Sequence, residues 1–397
     1  MACPSPTTLL PTSNSSPDLE CGPRHDAFTE AIVGWYRAGH RELPWRKNAD
    51  AYSVWVSEIM LQQTTVAAVV PFYERWMDRF PTLESLASSD LEDVLRYWAG
   101  LGYYARARNL HRAAQHIVLN LGGTVPRIVE ELKALPGVGR YTAGAIASIA
   151  FGQPEPIVDA NVARVLSRVF GLKEDMRSSA AAHERLWRLA AELVPPVAAS
   201  DFNQGVMELG AMVCSAGAPR CGRCPVKEIC HGHQCGEPTA FPEALPGKRW
   251  LDIEDVSVLI EDAAGRFAIL RRSPESPLWG GLWELPRVTR EADETLDGAA
   301  RRAAGLANFK PDSFVQFAEI KHVVANRRVT LHGYRAVGTR STEIPERKPD
   351  QNTVGDIRWI ALQSASDYPM ASPQVRLLSY LVPQSGIAQD GQQALEF

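Results

Sequence analysis

The 397-residue sequence has no apolar run approaching the roughly 18 residues of a membrane-spanning helix, which excludes a transmembrane helix. Its 42 Lys and Arg nearly balance its 46 Asp and Glu, so a strongly basic coat for nucleic acid is absent. The N-terminus lacks the basic stretch and apolar core of a signal peptide, and we expect residues 1–24 to form a disordered leader. These absences predict a cytoplasmic protein with no membrane partner.

The hydrophobic pattern divides the rest of the chain. Between residues 25 and 230 apolar residues recur at spacings of three and four, which predicts a mainly α-helical region with prolines such as Pro71 at helix ends. The Pro- and Gly-rich residues 231–250 are predicted to be a linker. Strand-like runs around one helical segment predict an α+β domain over 251–383, beginning with a β-hairpin formed by 255–262 and 266–272, and we expect 384–397 to be a loose tail.

Five of the seven cysteines lie between positions 214 and 235. Four of them have the spacing Cys214-x6-Cys221-x2-Cys224-x5-Cys230, which suits a [4Fe-4S] cluster or a tetrahedral Zn²⁺. Zinc fingers favour two close cysteine pairs, and only one is present here. Without a secretory signal we do not expect disulfides, and Cys235 is predicted to be a spare thiol.

A glycine-containing turn stands between two helical segments. Gly137 and Gly139 lie in Leu135-Pro136-Gly137-Val138-Gly139, where glycine permits positive φ and close approach of backbone N–H groups to a phosphate. Residues 101–140 also hold six Lys and Arg against two acids, a segregation of charge that permits one positive face. A simple tight turn is the alternative for the two glycines.

Two carboxylates are candidates for chemistry. Glu58 lies in an otherwise apolar helical segment, so we expect burial to raise its pKa and keep it protonated as a general acid; the alternative is an exposed Glu on an amphipathic helix. Asp159 precedes the helical segment 160–170, where a helix N-cap is the ordinary interpretation.

A second glycine-rich segment, 100–110, contains two tyrosines and two arginines. Its flexible Gly-x-Gly and aromatic rings suit a wedge between bases, and the arginines suit phosphates; a loop with core aromatics is the alternative.

Together these motifs resemble the MutY family of helix-hairpin-helix DNA glycosylases, within the endonuclease III superfamily. The 6-2-5 cysteine spacing implies a [4Fe-4S] cluster held by the four cysteines, and the Gly137–Gly139 hairpin implies a grip on DNA. The resemblance implies that Asp159 stabilises an oxocarbenium-like sugar and that Asn161 helps hold that site. Endonuclease III has a Lys at the position of Tyr141, and Tyr cannot form a Schiff base, so we expect a monofunctional glycosylase that leaves an abasic site. The resemblance implies that Tyr141 lies near the sugar and supports the intermediate.

The family further implies that Glu58 protonates a flipped adenine that was mispaired with 8-oxoguanine or guanine in double-stranded DNA. The implied residues around the adenine and the mispair are Arg46, Leu61, Gln63, Thr64 and Gln204, with Leu101 and Tyr103 beside the opposite base. The resemblance also implies a monomer and a bacterial-type, nucleoid-associated location in the cytoplasm.

The C-terminal region resembles the MutT-like (Nudix-fold) domain of the same family, through Trp279–Pro286 and Tyr368–Met370. The stretch after Gly281 lacks the carboxylates that hold Mg²⁺ in active Nudix enzymes, so we expect no pyrophosphatase activity. The family reads 8-oxoguanine with a Phe-Ser-His loop, which is Val324-Ala325-Asn326 here, following His322.

This departure leaves two expectations for specificity: relaxed preference toward adenine opposite guanine, or a lesion read by His322, Asn326 and Arg327 in another way. Three further alternatives stay open at this stage. They are a thymine-mispair glycosylase, a lesion-binding protein without catalysis, and a zinc-stabilised DNA-binding module.

Overall fold

The computed structural model of the chain describes residues 22–48, 50–245, 247, 249–338 and 354–381. The predicted tail and all but the last residues of the predicted leader lie outside the described residues. Residues up to Ser89 together with Arg108–Gly247 make one compact unit, and Asp90–Ala107 together with the residues from 248 onward make a second. None of the helices in the described ranges is long and apolar enough to span a bilayer.

The first unit is helical, as predicted. Its α-helices, with α7 beginning just before the unit boundary, are α1 (Pro23–Ala38), α2 (Pro44–Lys47), α3 (Ala51–Leu61), α4 (Val66–Arg79), α5 (Leu83–Ala87), α7 (Ala105–Asn120), α8 (Val129–Lys133), α9 (Arg140–Ala145), α10 (Ala160–Phe170), α11 (Ala180–Leu193), α12 (Ala199–Met212) and α13 (His231–Gln234). The helix α6 (Leu91–Trp98) belongs to the second unit. A π-helical turn, Ile146–Ala150, continues α9, and short 3₁₀ turns occupy Cys221–Arg223, Lys227–Ile229 and Pro238–Ala240.

One predicted helix end is wrong, because Pro71 lies inside α4. Proline lacks the N–H that an interior helical position donates, so this placement sacrifices a backbone hydrogen bond. The helix nevertheless continues because Val69, Tyr73 and Trp76 are buried at helical spacing on its inner face.

The second unit holds α6 and two β-sheets. Its strands are β1 (Leu251–Leu259), β2 (Phe267–Arg272), β3 (Trp283–Glu284), β4 (Arg287–Thr289), β5 (Ser313–Val324), β6 (Arg327–Val337) and β7 (Val354–Ile360), and its remaining helices are α14 (Leu296–Leu306) and α15 (Ser372–Ser379). The first sheet has the order β4-β1-β6-β5 and the second β3-β2-β7. Alanines of α14 pack on β1, while Leu377 of α15 joins the core with Leu259, Ile269 and Leu331.

The predicted hairpin of β1 and β2 is wrong in its pairing, since these strands belong to different sheets. A tight turn does join them: Asp262 accepts hydrogen bonds from the backbone N–H groups of Ala264 and Arg266, both at 2.9 Å. Beyond the bridge between Glu261 and Phe267 the strands separate. β1 pairs instead with β6 in parallel register and with β4 in antiparallel register, whereas β2 pairs with β3 and β7.

Candidate functional site: a carboxylate pair and a cysteine-lined cavity

The helix α3 places Glu58 in an apolar environment. The helix is N-capped by Asp50, which accepts from the Ser53 N–H at 3.0 Å, and all its residues from Tyr52 to Met60 are buried. Glu58 is 5% exposed, and its Oε2 accepts a hydrogen bond from the Tyr141 hydroxyl at 2.7 Å. Burial raises the pKa of Glu58 to about 7, although the Tyr141 hydrogen bond opposes the shift. The burial and raised pKa expected from the sequence are therefore present.

Asp159 is both a helix cap and a member of this site. Its Oδ1 accepts from the Val162 N–H at 2.7 Å, which caps α10, so the ordinary interpretation of the motif is also correct. Its Oδ2 accepts from Asn161 Nδ2 at 3.1 Å. Burial raises the pKa of Asp159, while the hydrogen bonds from Val162 and Asn161 oppose the increase.

The two carboxyl groups are close enough that the charge of Asp159 also raises the pKa of Glu58. Asp159 accepts several hydrogen bonds in its charged form, whereas Glu58 accepts one from Tyr141 and is more deeply buried. Burial raises the pKa of both carboxyls, but Asp159 has more hydrogen bonds that favour its charged form. The pair can thus supply a proton to a leaving group and a negative charge to a sugar cation.

Asn161 links Asp159 to the cysteine loop. Arg164 Nη2 donates to Asn161 Oδ1 at 2.8 Å, and Arg164 Nε donates to the Cys214 carbonyl at 2.8 Å. The chain of contacts requires close approach of α12, and Gly210 provides it: a Cβ there would lie 2.7 Å from the Cβ of Asn161. Asn161 was predicted from the sequence as a member of this site, whereas Arg164 was not.

Arg46 and Gln204 meet beside the carboxylate pair, since Arg46 Nε donates to Gln204 Oε1 at 3.1 Å. The positive charge of Arg46 opposes the rise in the pKa of Glu58 that burial causes. A third member, Glu208, accepts from Arg46 Nη2 at 3.0 Å and was missed. The sequence feature that could have identified Glu208 is an acidic residue one helical turn after Gln204 in a largely apolar helix.

The predicted mispair residues lie where α3 ends. Leu61 is the last residue of α3 and half-buried, Gln63 is exposed with φ of 57°, and the Thr64 N–H donates to the Leu61 carbonyl at 3.2 Å. The left-handed conformation at Gln63 is uncommon for a residue other than glycine. Gln62, which the sequence analysis did not select, donates to the Thr142 hydroxyl at 3.2 Å and connects this turn to α9.

The two hairpin glycines differ. Gly137 has φ of 78°, and a Cβ there would lie 2.6 Å from the Cβ of Asn109, so any other residue would be strained and crowded. Gly139 is the N-cap of α9 with φ of −94°, and nothing lies within 4 Å of a Cβ built on it. Only Gly137 requires glycine for its conformation.

The four predicted cysteine ligands line one cavity, together with Val165, Arg168, Leu209 and other mainly apolar residues. Cys214 follows α12, Cys221 and Cys224 bracket the first 3₁₀ turn, and Cys230 precedes α13. All four are free cysteines. Burial raises the pKa of Cys224 to about 12 and also raises that of Cys230, so a nearby cation is what would favour their thiolate forms at neutral pH. The donor set and its apolar surroundings therefore fit a metal-containing group.

Among the described residues no three His, Cys, Asp or Glu side chains form a group arranged to hold a metal ion. The common cavity is the observation on which the fit of the cysteines rests. Cys235 does not line the cavity, in line with its prediction as spare to the ligand set, but it is disulfide-bonded, so the expectation of no disulfides is wrong.

A buried arginine missed by the sequence analysis holds the cysteine loop. Arg168 is 3% exposed and donates to the carbonyls of Ser215 and Ala216, both at 2.7 Å, and to that of Phe241 at 3.2 Å. Its Nη1 also lies 3.4 Å from Cys214 Sγ. The available signal was the pair Arg164 and Arg168, one turn apart on the mainly apolar helix α10.

We expect Arg168→Met to lower the free energy of unfolding by at least about 3 kcal/mol, because several hydrogen bonds to a charged group are lost together. Urea unfolding and the yield of metal bound per chain measure the effect. Arg185→Met is the matched control, since Arg185 makes an exposed ion pair with Glu174. Equal stability of the Arg168 and Arg185 variants would contradict the structural role.

Residues up to Ala107 of the predicted wedge belong to the second unit. Leu101 is 6% exposed, whereas Tyr103 is 47% exposed with φ of 48°. The segment is attached within its unit: the Tyr104 hydroxyl donates to the Met370 carbonyl at 3.2 Å, and Trp283 Nε1 donates to Glu92 in α6 at 3.2 Å. Tyr103 is thus presented for contact, while Leu101 is largely buried.

The predicted lesion-reading residues lie at the end of β5 and in the turn to β6. Asn326 is exposed and its Nδ2 donates to the Arg249 carbonyl at 3.4 Å; Ala325 has φ of 55°. Both ring nitrogens of His322 are buried and make no hydrogen bond within the described parts of the chain. Burial lowers the pKa of His322 to about 4, so the ring is neutral near pH 7. Asn326, unlike His322, is open to a ligand.

The family comparisons agree with this organisation. The model for HhH-GPD superfamily base excision DNA repair proteins matches residues 56–192, and the model for the NUDIX domain matches residues 256–380. These matches confirm the predicted fold class, a helical helix-hairpin-helix region followed by an α+β Nudix-like domain. The class defined is that of base excision DNA repair proteins.

Individual relatives narrow the class. An "Adenine DNA glycosylase" of Rattus norvegicus is 39% identical over 84% of this chain and 74% of its own length. One of Homo sapiens is 42% identical over 69% of this chain and 60% of its own length, and one of Schizosaccharomyces pombe is 36% identical over 88% of both chains. The chain belongs to the adenine DNA glycosylase family and is a DNA N-glycosylase, a hydrolase of base excision repair.

Proposed function

We propose that this chain excises adenine mispaired with 8-oxoguanine or guanine in double-stranded DNA. The observation that carries the proposal is the buried Glu58, hydrogen-bonded to Tyr141 and coupled to Asp159. The adenine must leave the base stack, because the duplex hides its glycosidic bond. We also propose a monomer with a bacterial-type, nucleoid-associated location. Its glycosylase region spans 25–230, apart from the 90–107 segment that belongs to the second unit, and is followed by a linker over 231–250 and a Nudix-like domain over 251–383.

Protonated Glu58 gives its proton to the adenine as the N-glycosidic bond breaks and the bonding electron pair leaves with the base. Asp159, held by Val162 and Asn161, places its negative charge beside the sugar cation. Water then adds to the sugar carbon and releases a proton, leaving an abasic site. Tyr141 has no amine to attack the sugar, so the strand stays intact.

Arg46, Leu61 and Gln204 line the adenine site in this proposal, and Gln63 and Thr64 contact the mispair.

The Gly137–Gly139 hairpin contacts the DNA backbone. The exposed Tyr103 and the largely buried Leu101 lie beside the base opposite adenine. Asn326, with His322 nearby in sequence, takes part in reading 8-oxoguanine: an exposed amide can donate and accept hydrogen bonds, whereas Ala325 offers no side-chain polar group.

We further propose that Cys214, Cys221, Cys224 and Cys230 hold a [4Fe-4S] cluster. When bound, such a cluster supplies iron to four thiolates and takes no part in bond cleavage. The shared cavity and the disfavoured ionisation of Cys224 and Cys230 support this assignment. A visible absorption band with iron present would support it, and a colourless protein containing zinc would refute it.

The test of function is single-turnover base release from duplexes with adenine opposite 8-oxoguanine, guanine, cytosine or thymine, each with and without hot alkali. We expect strand breaks only after alkali, with the fastest release opposite 8-oxoguanine. Equal rates opposite guanine and 8-oxoguanine would contradict lesion reading through Asn326. No adenine release from any duplex would refute the proposed function, and release of thymine from T:G duplexes would favour a thymine-mispair glycosylase.

The carboxylate pair predicts a bell-shaped pH dependence of adenine release. Tyr141, Asp159 and Arg46 face Glu58, and the pKa of Glu58 is about 7. The rate should therefore fall above that pH as Glu58 loses its proton, and fall on the acid side as Asp159 gains one. Single-turnover rates between about pH 5 and pH 9 test this expectation, and a rate that kept rising to the alkaline end would contradict Glu58 as the acid.

A further inference from the structure

Glu208 is a buried carboxylate whose hydrogen-bonding capacity is taken up by two arginines. It lies in α12 and is 3% exposed. Oε1 accepts from Arg41 Nε at 2.7 Å and from the Arg41 backbone N–H at 3.2 Å. Oε2 accepts from Arg41 Nη2 at 2.8 Å and from Arg46 Nη2 at 3.0 Å. Although burial alone would raise the pKa of Glu208, these arginines lower it to about 2. The group is therefore ionised near neutral pH.

This carboxylate is one of three groups that fix the Arg46 guanidinium. Arg46 Nη1 donates to the Arg41 carbonyl at 3.0 Å and Nε donates to Gln204 Oε1 at 3.1 Å, while Nη2 is held by Glu208. Each guanidinium nitrogen of Arg46 thus has a partner, and its side chain is only 12% exposed. Glu208 is the one anion among these partners. Its carboxylate is shared by Arg41 and Arg46, so it offsets the repulsion between the two positive charges.

Gln204 takes its orientation from the same network. Its Oε1 accepts from Arg46 Nε and from the Tyr36 hydroxyl at 2.9 Å, and its Nε2 donates to the Ser200 hydroxyl at 3.1 Å. Because both donors bond to Oε1, the positions of the oxygen and the nitrogen of the Gln204 amide are fixed. Displacement of Arg46 would remove one of these donors.

We propose that Glu208 is a positioning residue for adenine excision: it holds Arg46, and through Arg46 the Gln204 amide, in the conformation that receives the flipped base. The proposal rests on the proposed function. Glu208 itself touches neither the base nor the sugar in this scheme. Its contribution is to keep the site preorganised, since small misplacements of binding groups cost about 10²-fold in rate.

We expect Glu208→Gln to lower the single-turnover rate on the 8-oxoguanine duplex by about 10- to 100-fold, because a neutral amide no longer anchors Arg46. The dissociation constant for a duplex carrying an uncleavable 2′-fluoro-deoxyadenosine should change much less. Glu174→Gln is the matched control, since Glu174 makes an exposed ion pair with Arg185, and it should excise at the wild-type rate.

A pH profile separates positioning from general loss of structure. Glu58 is faced by Tyr141, Asp159 and Arg46, and Arg46 contributes a lowering of its pKa. If Arg46 moves away in Glu208→Gln, the pKa of Glu58 rises and the alkaline limb of the profile moves to higher pH. A merely structural role would lower the amount of active protein and leave that limb in place.

A double-mutant cycle with Arg46→Lys completes the test. If Glu208 acts through Arg46, the double variant should be no slower than the slower single variant; full multiplicative losses would overturn the proposal. If Glu208→Gln does not fold, Glu208→Asp decides, because its shorter carboxylate keeps the charge and retracts from Arg46. A folded Glu208→Asp protein with the wild-type rate and profile would refute positioning, whereas absence of excision by the wild type would refute the proposed function itself.

Discussion

Replacing Glu58 with Gln should lower the single-turnover rate of adenine release by about 10²- to 10⁴-fold, the usual contribution of a general acid. The introduced glutamine would keep the shape of the side chain and an oxygen to accept the Tyr141 hydrogen bond, which is 2.7 Å long in the wild type. Its amide has no proton of suitable acidity for the leaving adenine. The measurement is base release on the 8-oxoguanine duplex, with duplex affinity measured separately.

Stability provides the control for this prediction. Burial raises the pKa of Glu58 from 4.5 to about 7 in the folded chain. The folded chain keeps its full stability while the pH is below the pKa of Glu58 in the unfolded chain. As the pH rises through the pKa of Glu58 in the folded chain, the free energy of unfolding falls by about 3 kcal/mol. Glu58→Gln removes that loss, so above pH 7 the variant should unfold at higher urea concentration than the wild type.

The matched substitution is Glu74→Gln, on an exposed position of α4. It should leave both the excision rate and the pH dependence of stability unchanged. A Glu58→Gln protein that excises adenine at the wild-type rate would eliminate Glu58 as the acid. Loss of activity accompanied by loss of folding would show that the side chain is needed for structure instead.

The parts of the site that could be predicted depend on local sequence. Glu58 was identifiable because one acid interrupts an apolar helix, and the cysteines because their spacing is short and unusual. Asp159 followed from its position before a helix together with the family resemblance. Each of these signals lies within a segment of about 20 residues, where helical periodicity and capping rules apply.

Partners from distant segments could not be predicted in the same way. Glu208 lies 167 residues from Arg41, and α6 is attached to the second unit through a contact between Glu92 and Trp283, 191 residues apart. An isolated acid or arginine in an amphipathic helix does not reveal which segment will neutralise it. The sheet assignment of β1 and β2 failed for the same reason, since the competing strands β4, β6 and β7 lie later in the chain.

Asp159→Asn should lower the excision rate by about 10²- to 10³-fold, as expected when a preorganised charge that stabilises a developing cation is removed. Asn is as good an N-cap as Asp. The hydrogen bond from the Val162 N–H, which is 2.7 Å long in the wild type, should therefore persist, and α10 should begin at the same residue. The variant therefore separates the two roles of Asp159: it retains the cap and loses the charge.

The chain contains a matched control for this separation. Asp50 caps α3 in the same manner, accepting from the Ser53 N–H at 3.0 Å. Asp50→Asn makes the same chemical change at a helix N-cap and should excise adenine at the wild-type rate. Comparable losses in both variants would assign the effect to helix capping, and a wild-type rate in Asp159→Asn would remove the carboxylate from the mechanism. A loss confined to Asp159→Asn, with unchanged unfolding, would place the required negative charge at the sugar.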